Sequence, residues 1–291
     1  MSARGLPSSP YPGLRPFKKD EWAIFFGREV MIDAVLDRLA ARQLVFVHGS
    51  SGCGKSSLIK AGVLPRLEQE HSLHGVPWQT AEMRPGGSPL WHLAEAIARL
   101  IERLPEGEQP SLETTRGVHR LLNLGETALT AIQDKYALGK DGNVCLLIDQ
   151  FEELFRYARE IGREEAETLI DVLKAFGGND APKGIHAIVT MRSDHLGDCA
   201  QFTGFAELVN QTQYLLPRMD KTALMRAISE PARLYGGEVR ADLALRMIDE
   251  SQNETDALPL VQHCLMRLWR EQLSRKEVTG LAEEGALPPG L

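Results

Sequence analysis

Residues 49–57 read Gly49-Ser50-Ser51-Gly52-Cys53-Gly54-Lys55-Ser56-Ser57 and follow the short apolar run Leu44-Val45-Phe46-Val47. The spacing is G-x-x-x-x-G-K-[ST], the pattern of a phosphate-binding P-loop. Closely set glycines let the backbone turn tightly, some of it at positive φ, so that successive N–H groups converge on an anion. A helix opening at Lys55 adds its own unpaired N–H groups and the positive end of its dipole. Lys55 can then reach the β- and γ-phosphates as a point charge, and the Ser56 hydroxyl can ligate Mg²⁺. Gly49 through Ser57 are therefore candidate nucleotide contacts. Cys53, inside an anion-binding loop, is a candidate oxidisable thiol, although a small tolerated loop residue is the plainer reading.

A second stretch supplies acid. Val144-Cys145-Leu146-Leu147-Ile148 is an unbroken apolar run that ends in Asp149. That is the form of a parallel strand buried on both faces, and ligands gather at the carboxyl ends of such strands. Asp149 is thus the candidate Mg²⁺ acid, opposite the Ser56 hydroxyl. Glu152 and Glu153 follow closely enough for one of them to polarise a water aimed at the γ-phosphate. The pattern does not choose between them; Glu153 is preferred by a small margin. A further apolar run, Ile185–Met191, leads to Arg192, whose guanidinium could contact a γ-phosphate in bidentate fashion. Pairing of Arg192 with Asp194 or Asp198 is the alternative. No Asn-Lys-x-Asp segment is present to read guanine, so adenine is the expected base.

These residues need elements to hold them. Leu44–Val47, Val76–Met83, Val144–Asp149, Ile185–Met191 and Tyr214–Leu216 are the expected strands. Ile32, Val35, Leu36 and Leu39 recur at helical spacing, as do Leu90, Leu93, Ile97, Leu100, Ile101 and Leu104. Ser88-Pro89 should open the second of these helices. Two short helices are expected in 111–137, and one carrying Ala166, Leu169, Ile170 and Leu173, stopped by Gly177-Gly178. After Pro217 the pattern turns wholly helical, at about 221–230, 241–251 and 258–275. The expectation is an α/β fold: a P-loop domain over 1–217 with a mainly parallel five-stranded sheet flanked by helices, then a small helical lid over 218–291. Residues 1–20 are rich in proline and glycine and read as an extended lead-in.

The chain has 291 residues with 43% apolar, enough for a sizeable core, and a net charge of −7 that argues against a dedicated nucleic-acid surface. No apolar run is long enough to span a bilayer, and the first residues lack the apolar core of a secretory signal. Four widely spaced cysteines fit reduced thiols in a cytoplasmic protein, with those other than Cys53 in buried segments.

The P-loop together with Asp149-Gln150-Phe151-Glu152-Glu153 resembles the STAND class of signalling ATPases, in its novel bacterial STAND NTPase branch. Pro10–Phe17, Phe25-Phe26-Gly27-Arg28-Glu29, Thr190-Met191-Arg192-Ser193-Asp194 and Leu258-Pro259-Leu260 with Leu268-Trp269 resemble it too. The resemblance implies that Gly27 and Arg28 lie near adenine and ribose, that Arg192 senses the γ-phosphate, and that Pro259 packs on the adenine. It implies ATP or ADP with Mg²⁺, self-association in the ATP-bound state, and sensor and effector regions beyond this stretch, such as a winged helix and a repeat domain. Gln150 stands where several relatives carry a small residue. The function expected is a slowly hydrolysing ATP-dependent signalling switch in bacterial regulation or defence. Two rivals stand beside it. One is a continuously cycling ATPase acting on a polymer or protein, needing an arginine finger such as Arg218 or Arg233. The other is an ADP-bound scaffold that does not hydrolyse.

Overall fold

The computed structural model describes residues 6–70, 76–177, 181–251 and 257–279. Its regular elements run α1 (Glu29–Arg42), β1 (Leu44–Gly49), α2 (Lys55–Ser57), α3 (Leu64–Glu70), β2 (Trp78–Met83), α4 (Pro89–Ile101), α5 (Leu112–Leu122) and α6 (Ala128–Tyr136). They continue as β3 (Asn143–Ile148), α7 (Glu152–Glu160), α8 (Arg163–Lys174), β4 (Ile185–Arg192), α9 (Phe205–Thr212), β5 (Gln213–Leu215), α10 (Lys221–Leu234), α11 (Ala241–Ser251) and α12 (Ala257–Thr279). The chain forms two compact units, one from Met1–Ile32, Ser50–Pro65 and Pro217–Leu291, the other from Asp33–Gly49 and Arg66–Leu216.

The second unit holds the sheet. Its five strands lie in the order β2-β3-β4-β1-β5, and every adjacent pair is parallel. β1, with no polar residue before His48, is buried along its whole length, as a central parallel strand should be. Phe46 meets Phe151 and Phe205 edge-on, with ring centroids 6.0 and 5.6 Å apart, so an aromatic cluster anchors this face. α4 buries Leu90, Leu93, Ile97 and Leu100, the stripe that the sequence spacing predicts. The helix ends at Ile101, before Leu104, because Arg103 adopts φ 54. Ser88 stands at its N-cap, but its hydroxyl donates to the Gly87 carbonyl and caps no N–H. α5 is capped by Ser111, whose Oγ accepts from Thr114 N at 3.1 Å.

The helical stretch after Asp149 is two helices: α7 stops at Glu160, Ile161 leaves helical geometry, and α8 restarts after Gly162. The expected Gly177-Gly178 stop is met as far as Gly177, which ends a short 3₁₀ turn; Gly178 lies outside the described residues. The sequence reading also lacked α9, eight residues that bring Phe205 into the core.

The first unit is helical. α10, α11 and α12 enclose a core of Ile228, Ala232, Val239, Ala244, Ile248, Val261, Leu265 and Trp269. Asp220 caps α10 by accepting from Ala223 N at 2.7 Å. The proline-rich lead-in inserts into this core. Tyr11 is fully buried, its hydroxyl donates to the Ile228 carbonyl at 2.5 Å, and its ring meets Trp269 edge-on. Phe17 packs edge-on to Phe25 beside Ile24 and Ala61. Cys264 is exposed on α12, contrary to the expected burial, while Cys53 is buried together with Cys145 and Cys199. Among the described residues, no helix is long and apolar enough to cross a membrane.

Candidate nucleotide site

In the helical unit, residues 50–57 form the loop and helix start that the motif demands. Gly52 has φ 67 and Gly54 φ 93, left-handed values that side chains disfavour, whereas Gly49 ends β1 in the sheet unit. Cys53 N donates to the Ser50 carbonyl at 3.5 Å and closes the turn. Gly54 is the N-cap of α2, and Leu58 N reaches back to the Gly54 carbonyl at 2.8 Å. The helical run then passes through a π-helical turn, Leu58–Val63, into α3. Lys55 Nζ donates to the Ser50 carbonyl at 2.8 Å and lies 3.9 Å from Cys53 Sγ. Ser56 follows it as the second residue of α2. Ser57 has other work: its Oγ accepts from Phe17 N at 3.2 Å and ties the lead-in to the loop.

Gly27-Arg28-Glu29 supports this loop from within the same unit. A Cβ on Gly27 would stand 2.4 Å from the Ala223 carbonyl oxygen, so only glycine, at φ 84, lets the chain pass α10 this closely. Arg28 is 3% exposed and donates to the carbonyls of Cys53 at 2.8 Å and Pro217 at 2.7 Å. Glu29 accepts from Gly27 N at 3.2 Å and receives a two-pronged contact from Arg226 at 3.0 Å. Beside Arg28 an open pocket is lined by Ser50, Gly52 and Cys53 of the loop and by Arg218, Met219, Leu224, Ser251, Ala257 and Leu258. Its mix of apolar side chains with loop backbone and a guanidinium suits a flat heteroaromatic base next to phosphates. Pro259, the expected base contact, is half-buried in the first turn of α12 and is not in this lining; Ala257 and Leu258 are. Arg218 lines the pocket of its own chain, and Arg233 pairs with Glu230 at 3.0 Å.

In the sheet unit the acid site is equally defined. Asp149 directly follows β3 and is fully buried. Its Oδ1 accepts from Thr190 Oγ1 at 2.7 Å, and its Oδ2 meets Arg84 Nη2 at 3.3 Å. Gln150 takes φ 59, an unusual value for a side chain with a Cβ, and its N–H donates to Thr190 Oγ1 at 3.1 Å. Glu152 Oε2 accepts from Arg192 N at 3.3 Å, while Glu153 Oε2 accepts from Gly86 N at 3.0 Å. Both acids are thus placed by backbone, and neither is singled out. Arg192 sits opposite Gly49 in the β1–β4 register, and its guanidinium forks onto Asp194 at 3.0 and 2.6 Å. That fork holds the Asp194 carboxyl below the usual carboxylate range. His195 pairs with Asp198 at 2.7 Å. Sequence reasoning assigned no role to Arg84 or Thr190; the signals available were that Arg84 directly follows β2 and that Thr190 opens the family-like stretch Thr190–Asp194.

Left-handed glycines running into a helix start, with Lys55 in place, fit a nucleotide's phosphates. A serine hydroxyl and a carboxylate are hard oxygen donors that fit Mg²⁺. A parallel sheet whose β1 runs into such a loop, with an acid ending β3, defines a P-loop NTPase. The family model of Novel STAND NTPase 1 matches residues 10–286, and the chain belongs to that family. No curated protein matches it. Among solved structures, the chain is similar to the ORC2 protein of Aeropyrum pernix in its ADP form, with 16% identity, TM-score 0.56, and 98% of this chain and 68% of that one covered. It is also similar to a Walker-type ATPase of Pyrococcus abyssi, with 15% identity, TM-score 0.56, and coverages of 92% and 76%. The Aeropyrum pernix ORC1 protein in complex with DNA is a third, at 14% identity, TM-score 0.55, and coverages of 90% and 69%. At these identities the likeness is one of fold.

Proposed function

We propose that this NTPase is an ATP/ADP-dependent signalling switch of the cytoplasm, acting in bacterial regulation or defence, whose slow hydrolysis resets it. The observation that carries the reading is the pocket of the helical unit, where loop backbone and the buried Arg28 meet Met219, Leu224 and Leu258. It offers adenine an apolar wall contributed by the residues expected to act as a lid, 218–291, so the bound nucleotide would bear on the arrangement of those helices. The backbone of 49–56 and Lys55 would hold phosphates, with Gly27 and Arg28 bracing the loop. Ser56 and Asp149 would hold Mg²⁺, which when bound supplies charge that offsets the phosphate oxygens. Glu152 or Glu153 would orient the attacking water, and Arg192 would exchange Asp194 for the γ-phosphate. Self-association in the ATP-bound form, and sensor or effector regions outside this stretch, complete the reading.

Single-turnover hydrolysis by the Glu152→Gln and Glu153→Gln variants tests it. One of the two should slow hydrolysis by about 10²-fold or more while ATP still binds, as expected when a positioned base is lost. Wild-type turnover that is rapid and rises with an added polymer would favour the continuously cycling ATPase. Unchanged hydrolysis in both variants would remove the assigned roles of these acids.

A further inference from the structure

Asp149 is held through its two carboxylate oxygens in different ways. Oδ1 receives the Thr190 hydroxyl, from the neighbouring strand β4, at 2.7 Å. This bond is buried, short and independent of any ion. Oδ2 faces the other neighbour: Arg84, the first residue after β2, approaches it with Nη2 at 3.3 Å. The asymmetry extends to burial. The Asp149 side chain is 1% exposed, whereas that of Arg84 is 46% exposed. A buried carboxylate must be compensated by a cation, but a half-exposed guanidinium at 3.3 Å gives up little when it returns to water.

We propose that Arg84 is a positioning residue that pairs with Asp149 at Oδ2 and competes with Mg²⁺ for that oxygen. The inference rests on the reading of Asp149 as the Mg²⁺ acid. Thr190 keeps the carboxylate aimed while the cation at Oδ2 is exchanged. The turn that carries Arg84 is also the one whose Gly86 N–H binds Glu153 Oε2 at 3.0 Å. Displacement of Arg84 by the ion would therefore be felt at a candidate water-orienting acid, two residues along the same turn. Metal loading would in this way be coupled to the placement of Glu153.

The test uses the full 291-residue chain, with Mg²⁺ titrated against a fluorescent ATP analogue, and thermal unfolding followed in EDTA and in Mg²⁺ with ATP. Arg84→Gln should lower the half-saturating Mg²⁺ concentration by about five- to tenfold, the lower end of the range for coupled sites. Arg84→Lys, which keeps a charge but not the planar fork, should shift it in the same direction by less. In EDTA Arg84→Gln should melt below wild type, and with Mg²⁺ and ATP the gap should close; a merely structural arginine would leave the same gap in both conditions. If Arg84→Gln does not fold, Arg84→Lys carries the test alone. Arg84 variants that need as much Mg²⁺ as a Mg²⁺-dependent wild type, or more, would overturn the competition. A wild type whose nucleotide binding ignores Mg²⁺ would overturn the underlying reading of Asp149, and the competition with it.

Discussion

A guanidinium that is only 3% exposed is costly unless its donors are used, and Arg28 spends them on two backbone carbonyls. Its position in Gly27-Arg28-Glu29 was legible as part of a family pattern, but its partners were not, because Cys53 and Pro217 are 25 and 189 residues away in sequence. The same holds for Thr190 and Arg84, whose meaning comes from flanking Asp149 across strand pairings. Lys55, Ser56 and Asp149 were legible because a local pattern of residue types sets their chemistry. One buried side chain outside the site also gives a measurable signature. His186 on β4 packs against Trp78, the rings 4.7 Å apart and tilted by 46°, and burial lowers its pKa from 6.5 to about 4. The folded state then resists a proton that the unfolded chain accepts. Stability is full above pH 6.5 and falls between 6.5 and about 4, by about 3 kcal/mol in total from this group. His186→Phe should flatten that part of a pH series of urea unfolding curves; an unchanged slope would assign the loss to other groups.

At the scale of elements, the strands were readable because β1, β3 and β4 are buried on both faces and so carry unbroken apolar runs. β5, Gln213–Leu215, was placed within a residue, just ahead of Pro217. The break between α7 and α8 was not legible. Ile161-Gly162 resembles any helical interruption, and the bond between Tyr157 Oη and Glu165 that spans it is a tertiary fact. The turn before α1 is the element where backbone geometry matters most. Gly27→Ala would force a Cβ to 2.4 Å from the Ala223 carbonyl at φ 84. A cost of about 2 kcal/mol or more is expected from strain and displacement of α10. ADP affinity should fall with it, because Arg28 is carried on the same turn. Wild-type stability and affinity in this variant would mean that the turn does not brace the loop.

For the molecule as a whole, composition pointed to a sizeable core, and the family match over residues 10–286 bears out the recognition made from the motifs. The lead-in was harder to read. Alone, Pro10–Phe17 has the composition of a linker, yet Tyr11 is fully buried in the helical core and bonded to Ile228. That segment, the phosphate loop and α10 to α12 make up a single compact unit, so residues far apart in sequence share the candidate pocket. A nucleotide held there would be retained through purification. The most direct measurement is to denature freshly purified protein, identify the released nucleotide by ion-exchange chromatography, and compare the amount with that from Lys55→Ala. The account predicts close to stoichiometric ADP from wild type and little from the variant. Wild-type protein that releases no adenine nucleotide and turns over added ATP rapidly would contradict it.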